Sequence, residues 1–213
     1  MTDWYPNAQR VLGPASKRRP GTNPVRGVVM HSLEGSEAGI RPELYNASRV
    51  ANWHATVLQD GTILQHHPFS VRLNHAGDAW CNDNTVGIEH EGITPAGSST
   101  GPTLTEAQRT ASVALVRWLA EQYGFKPART GAAKTMWEHT EVSDTGTQCP
   151  SARIPWSAYL VAAVPDAKPP KAPTAFYRPD KVAAFWTQAY ANGAKPIRYD
   201  PDGKAIYEVR VNP

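Results

Sequence analysis

The stretch "WEHTEVSDTGTQCPS" (residues 137–151) places His139 and Cys149 ten positions apart in an otherwise polar segment. Far upstream, "GVVMHSLEG" ends an apolar run on another histidine, His31. Zinc takes imidazole nitrogen and thiolate sulfur in tetrahedral sites, and a catalytic site keeps one position open for water. These three side chains offer that donor set. From spacing alone an ordinary surface or core role stays open for each of them.

The elements that would position such groups must come from a chain of 213 residues, enough for one domain of ordinary size plus an appendage. Hydrophobic content of 40% against 19% charged residues fits a soluble globular protein. A formal charge of +3 and a pI near 8.9 are mildly basic. Without a basic helix or an aromatic-basic stripe, nucleic acid is not expected as a partner. "SKRRPG" (residues 16–21) reads as a solvated loop. No apolar run reaches the length of a membrane span, so no membrane insertion is expected. The amino-terminal stretch shows no apolar signal-peptide core, which predicts a cytoplasmic protein unless another factor releases it. Two cysteines cannot staple a fold; a free, buried Cys81 beside a metal-bound Cys149 is the favoured reading.

Along the chain, residues 1 to about 24 read as an extended arm. "VRGVVMH" (residues 25–31) is a β-branched buried strand. In "SEAGIRPELYNASRVAN", Pro42 suits the first turn of a helix, and Ile40, Leu44, Ala47 and Val50 form a stripe. "WHATVLQDGTILQHH" is a hairpin turning at Gln59-Asp60-Gly61, with His66 and His67 expected on its surface end. In "NTVGIEHEGI", Val86 and Ile88 share one face while Gly87, Glu89 and Glu91 share the other. A long helix starts at Thr105, with Gln108 at capping-box spacing and Gly124 as its stop. Its buried face is read as Ala111, Leu115, Trp118 and Leu119. His139 is placed in a polar loop, followed by a helix begun by Pro155. Strands alternating with helices predict an α/β fold: a mixed central β-sheet flanked by helices, with a short C-terminal appendage. The domain reading is a catalytic domain over 1–165 (core 25–164), a Pro/Lys-rich linker over 166–175, and a helix plus hairpin over 176–213.

"VVMHS", "HATVLQDGTILQ", "NHAG", "CNDNTVGIEHEG" and "HTEVSDTGTQCPSARIPW" occur here in an order that resembles the zinc-dependent N-acetylmuramoyl-L-alanine amidases of the type-2 family. That family includes amidase-type phage lysozymes, bacterial muropeptide-recycling amidases and animal peptidoglycan recognition proteins. The resemblance covers residues 25–164. It implies one zinc per chain, with His31, His139 and Cys149 as ligands. It also makes Glu89 the base that orients the attacking water and passes its proton to the leaving amine. The alternation of the strand supports Glu89 independently, because it separates that carboxylate from Val86 and Ile88.

Two positions depart from the family pattern. Many relatives carry tyrosine before the hairpin histidine; here Trp53 stands there, and indole has no proton to exchange near neutrality. It packs beside substrate or fills core. Many relatives carry lysine two residues before the third ligand; here Thr147 stands there, able to donate a hydrogen bond to the oxyanion but carrying no charge. A slower enzyme is expected. The resemblance further implies that His54, His75 and Asn74 line the substrate groove, with packing beneath the site as the alternative for the two histidines.

The implied activity is hydrolysis of the amide between N-acetylmuramic acid and the L-alanine of the stem peptide, with bacterial peptidoglycan as partner. The expected form is a monomeric phage endolysin, held in the host cytoplasm until a holin opens the membrane and then acting on the wall. A cytosolic recycling amidase and a non-catalytic peptidoglycan-binding module are the alternatives.

Overall fold

The computed structural model describes residues 3–92 and 97–163, and beyond these the backbone of residues 198–199 and 205–206. The amino-terminal segment contributes β1 (Gln9–Arg10), a 3-10 turn (Ala15–Lys17) and β2 (Arg18–Thr22). Next come β3 (Val28–Glu34), α1 (Glu37–Leu44), β4 (Ala55–Val57), β5 (Ile63–Gln65) and β6 (Val71–Leu73). α2 (Ala79–Asn84), β7 (Val86–Gly92) and α3 (Glu106–Tyr123) follow. β8 (Met136–Glu138), α4 (His139–Val142) and α5 (Trp156–Ala163) complete the set. A separate unit, Ala167–Pro213, contains β9 (Arg198–Tyr199) antiparallel to β10 (Ala205–Ile206).

The principal sheet has six strands in the order β1-β5-β4-β7-β3-β8. It is mixed: only the β4–β5 hairpin is antiparallel, and the other neighbours run parallel. A smaller sheet pairs β2 with β6. This is the α/β class expected from the alternation of strands and helices. No helix among the described residues is long and apolar enough to cross a membrane.

Strand alternation divides the chemistry between the two faces of the sheet. Val28 and Met30 of β3, Val86 and Ile88 of β7, Ala55 and Val57 of β4 and Met136 of β8 join one core cluster. That cluster is closed by Val113, Leu115, Val116 and Leu119 of α3 and Tyr159 of α5. On the opposite face Val29 packs with Ala76 and Cys81, while Leu33 packs against a cluster of Ile40, Leu44, Trp53, Leu58 and Leu64. His31 lies between Val29 and Leu33 on β3, so it occupies the gap between these two clusters.

Local signals held where they were specific. Thr105 caps α3 by accepting from the Gln108 N–H, and Gly124 ends it in the left-handed region at φ 74°. The β4–β5 hairpin turns around Asp60-Gly61, with Gly61 at φ 90°. In the appendage, β9 and β10 pair with Tyr199 opposite Ala205 and Arg198 opposite Ile206. The linker over 166–175 and the helix expected within 176–213 lie outside the described residues.

Several expectations are corrected. The arm is not free: β1 adds to the sheet edge beside β5, β2 pairs with β6, and Tyr5 is buried against the core. The basic cluster lies largely on β2, with Arg19 paired to Asp83. α1 stops at Leu44, Pro42 stands inside it rather than in its first turn, and Val50 is 74% exposed, so the stripe ends early. On α3, Ala111 and Trp118 are only partly buried, and Ser112 and Val113 take the inner positions. His66 and His67 are fully buried rather than on the surface.

Their burial is possible because each ring is satisfied internally. His66 bonds Thr56 Oγ1 (2.9 Å) and the Val11 carbonyl (2.8 Å), and His67 bonds Asn52 Oδ1 (2.7 Å). His54 accepts from the Gly87 N–H (3.0 Å) and donates to the Val71 carbonyl (3.0 Å). Burial holds His54 and His66 down to about 4 and His67 to about 3. The unfolded chain therefore binds more protons than the folded one between about pH 6.5 and pH 4. Stability is full above that window and falls as pH drops through it, by up to about 1.4 kcal/mol per pH unit for each such group. Urea unfolding midpoints should fall steeply as pH drops from 6.5 to 4.5, because the several buried imidazoles outweigh the opposite slope of the single buried Glu89 carboxyl. A profile flat down to pH 5 would contradict neutral burial of these rings.

Candidate metal centre and active site

Because Met30 and Ile88 face the main core, His31 and Glu89 face the other way, and they are register partners across β3 and β7. His31 Nδ1 lies 4.0 Å from Glu89 Oε1, with the two side chains 2% and 15% exposed. β8 pairs with β3 up to Met30–Glu138, and the chain then enters α4 on His139. The rings of His31 and His139 are 4.5 Å apart between centroids. Cys149 is brought in by two backbone bonds. The Thr140 N–H donates to its carbonyl (2.7 Å), and the Ser32 N–H donates to its sulfur (3.1 Å). Its Sγ stands 3.9 Å from His31 Nδ1.

The donor atoms of His31, His139 and Cys149 all lie within 4.8 Å of one another, the one such trio among the described residues. Tetrahedral bonds of about 2.0–2.3 Å require ligand atoms roughly 3.3–3.8 Å apart, so a small contraction closes the set around an ion. The electrostatics agree. Burial, then the charge of Glu34, pushes the Glu89 carboxyl up to about 8, and its Oε2 has no hydrogen-bond partner. Burial, then the charge of Glu89, pushes the Cys149 thiol well above its usual value. Burial depresses His31 strongly and His139 also, keeping both imidazoles neutral as ligands must be. Two acids that burial holds protonated, beside two neutral imidazoles, fit a divalent cation whose charge lets both acids ionise.

The other residues singled out in the sequence fall at different distances from this centre. Thr147 is half-buried, and its Oγ1 accepts from the Cys149 N–H (3.2 Å), which leaves its hydroxyl proton to donate. His75 touches His31 directly, Nδ1 to Nε2 at 3.4 Å. His54 is fully enclosed with both nitrogens engaged, so it packs beneath the site rather than lining a groove. Trp53 is 8% exposed, donates to Thr56 Oγ1 (2.7 Å) and fills the cluster under α1. Asn74 is half-buried, and its carbonyl accepts from the Asn52 N–H (2.9 Å).

Two residues carry roles the sequence reading did not assign. Arg153 is 2% exposed and donates to Ser32 Oγ, the carbonyls of His90 and Glu91, and the carbonyl of Pro102. It ties β3, β7 and the Cys149 loop together. The signal was an arginine within the apolar, proline-flanked run "SARIPW". Glu91, which shares the strand face of Glu89, accepts from the Glu37 N–H at the start of α1 (2.8 Å) and from the Gln59 N–H (2.9 Å). The free thiol of Cys81 is buried apart from this centre, and burial pushes it up to about 12.

Comparison with known proteins adds an independent line. The N-acetylmuramoyl-L-alanine amidase family matches residues 21–152. The 1,6-anhydro-N-acetylmuramyl-L-alanine amidase AmpD of Escherichia coli (strain K12) is 27% identical over 182 residues, covering 74% of this chain and 93% of that protein. Among solved structures, the endolysin N-acetylmuramoyl-L-alanine amidase LysCS of Clostridium intestinale URNW aligns with a TM-score of 0.54 at 19% identity, over 74% of this chain and 95% of that one. A selenomethionine derivative of AmpD aligns at 0.57 and 23%, over 77% and 98%. At those identities the two structures show a shared fold. The family match takes in His31, Glu89, His139 and Cys149 together, and by it the chain belongs to the N-acetylmuramoyl-L-alanine amidases.

Proposed function

We propose that this chain is a zinc-dependent peptidoglycan amidase that cleaves the amide between N-acetylmuramic acid and L-alanine, and that it serves as a phage endolysin. The observation that carries the chemical reading is the convergence of His31, His139 and Cys149 beside Glu89, in an amidase-family chain. Those three side chains would hold the ion. Zinc bound there supplies a Lewis acid for the scissile carbonyl and makes water acidic enough to attack at neutral pH. Glu89 takes the proton of the attacking water and delivers it to the leaving amine. Thr147 donates its hydroxyl proton to the developing oxyanion without adding charge.

Support for the endolysin role comes from the second unit, Ala167–Pro213, preceded by a stretch rich in proline and lysine. The AmpD match uses 93% of that protein but 74% of this chain, so this chain is longer than the part it shares with AmpD. Residues 176–213 hold aromatics suited to wall binding, including Phe176, Tyr177, Phe185, Trp186 and Tyr190. On this reading the protein is a monomer that reaches the wall once a holin opens the host membrane. Identity to AmpD favours a second reading, a recycling amidase acting on soluble anhydro-muropeptides. Digestion of purified sacculi separates them. An endolysin releases free L-alanine amino termini from intact walls without new reducing sugars, whereas a recycling enzyme leaves sacculi untouched and cleaves only soluble fragments.

Glu89 and Glu91 give a paired test of the proton-transfer role. Glu89→Gln keeps the shape and removes a buried acid, so zinc content and melting temperature should hold while turnover falls by roughly two to four orders of magnitude. Glu91→Gln should do the reverse. One of its two backbone donors loses its acceptor, stability drops by about 1 kcal/mol, and turnover stays near wild type. A Glu89→Gln enzyme retaining more than about a tenth of its activity would assign the proton to another group.

A further inference from the structure

His75 is not one of the three candidate ligands, yet its surroundings are built to hold its ring in one orientation. Asn82 Oδ1 accepts from the backbone N–H groups of both His75 and Ala76, each at 2.8 Å. Asn82 is itself held in α2, which Asp78 caps by accepting from the Cys81 N–H (2.7 Å). The ring packs close against Gly87 of β7, where a Cβ would stand 2.8 Å from both His75 Cγ and Nδ1. Only glycine leaves that space. His54 closes another side, its ring 5.6 Å from that of His75 between centroids.

The hydrogen bonds around this ring run in one direction. The Thr85 hydroxyl proton is committed to the Cys81 carbonyl at 2.7 Å. Thr85 Oγ1 can therefore only accept from His75, which it meets at Nε2 (3.4 Å). A proton on Nε2 leaves His75 Nδ1 bare, and that atom faces His31 Nε2 at 3.4 Å. His31 must then carry its proton on Nε2, which leaves Nδ1 bare and turned toward Cys149 Sγ and Glu89 Oε1. In the opposite arrangement, with the proton on His75 Nδ1, Nε2 would lack a donor, because the Thr85 hydroxyl is already used.

We infer that His75 is a positioning residue: through the chain Thr85–His75–His31 it selects the tautomer of His31 that presents Nδ1 to the metal. The inference rests on the zinc reading above and goes beyond it by giving a non-ligand histidine a defined task. Loss of an orienting partner of this kind costs a metal site about 10–100-fold in affinity.

The test is zinc affinity, measured by competition with a chromogenic chelator, for wild type, His75→Leu and His75→Asn. Leucine keeps bulk and removes the acceptor. Asparagine restores an oxygen close to the place of Nδ1. His75→Leu should bind zinc about 10–100-fold more weakly, and His75→Asn should recover most of that loss. Long-range 1H–15N correlation spectra of the metal-free wild-type chain provide a readout that needs no variant to fold. They should show His31 protonated on Nε2 and bare on Nδ1. Wild-type affinity in the leucine variant, or a His31 proton on Nδ1, would overturn the inference while leaving the zinc reading intact. A wild-type chain that binds no zinc would overturn both.

Discussion

The parallel ladder between β3 and β7 is the constraint on which the site depends. Its seven consecutive pairings set His31 directly across from Glu89. In a strand the side-chain period is two, so a slip of one residue would place Ile88 or His90 opposite His31 and turn Glu89 into the main core. The register is secured from the other face, where Val28, Met30, Val86 and Ile88 are wholly buried under α3 and α5. The remaining parts attach to the same ladder. β8 borrows the edge of β3 to deliver His139, the Ser32 N–H donates to the Cys149 sulfur, and Arg153 bonds Ser32, His90 and Glu91.

Around that ladder the fold buries polar groups that water would otherwise satisfy, and it gives most of them hydrogen-bond partners within the chain. His90 shows the pattern. Its Nδ1 donates to the His31 carbonyl and its Nε2 meets Ser112 Oγ, which bonds the Tyr159 hydroxyl. Such networks are costly when broken and rigid when complete. Rigidity here serves catalysis, because groups already oriented need little rearrangement as charge develops. Glu89 Oε2 is one of four buried side-chain atoms without a partner among the described residues, with Gln108 Oε1, Arg129 Nε and Ser151 Oγ, and it lies beside the cluster where the metal would bind. The cost of that isolated acid is consistent with a group whose partners arrive with metal and substrate.

Much of this was legible in the sequence where a periodic pattern or a specific motif carried it. The β-branched run ending on His31, the alternation around Glu89, the Asp-Gly hairpin and the Thr105 cap each depend on neighbours within a few residues. The failures share a cause, dependence on distant partners. β8 is three residues long and exists because β3 offers it an edge. His66 and His67 look like polar residues at a hairpin end; their burial depends on Val11 and Asn52, and on an amino-terminal segment that adds strands to the sheets. Glu91 differs from Glu89 only in what the fold places above it: the first N–H of α1 and the turn at Gln59. The candidate ligand set came from resemblance to a family, since spacing alone left ordinary roles open for His31, His139 and Cys149.

The central claim is that two imidazoles and one thiolate from separate parts of the chain hold a single zinc ion. X-ray absorption at the zinc edge reads that sphere directly in the zinc-loaded protein. The account predicts one sulfur at about 2.3 Å and two imidazole nitrogens at about 2.0–2.1 Å, with a lighter atom completing the tetrahedron. A spectrum with no sulfur scatterer, or with imidazole signatures absent, would contradict it.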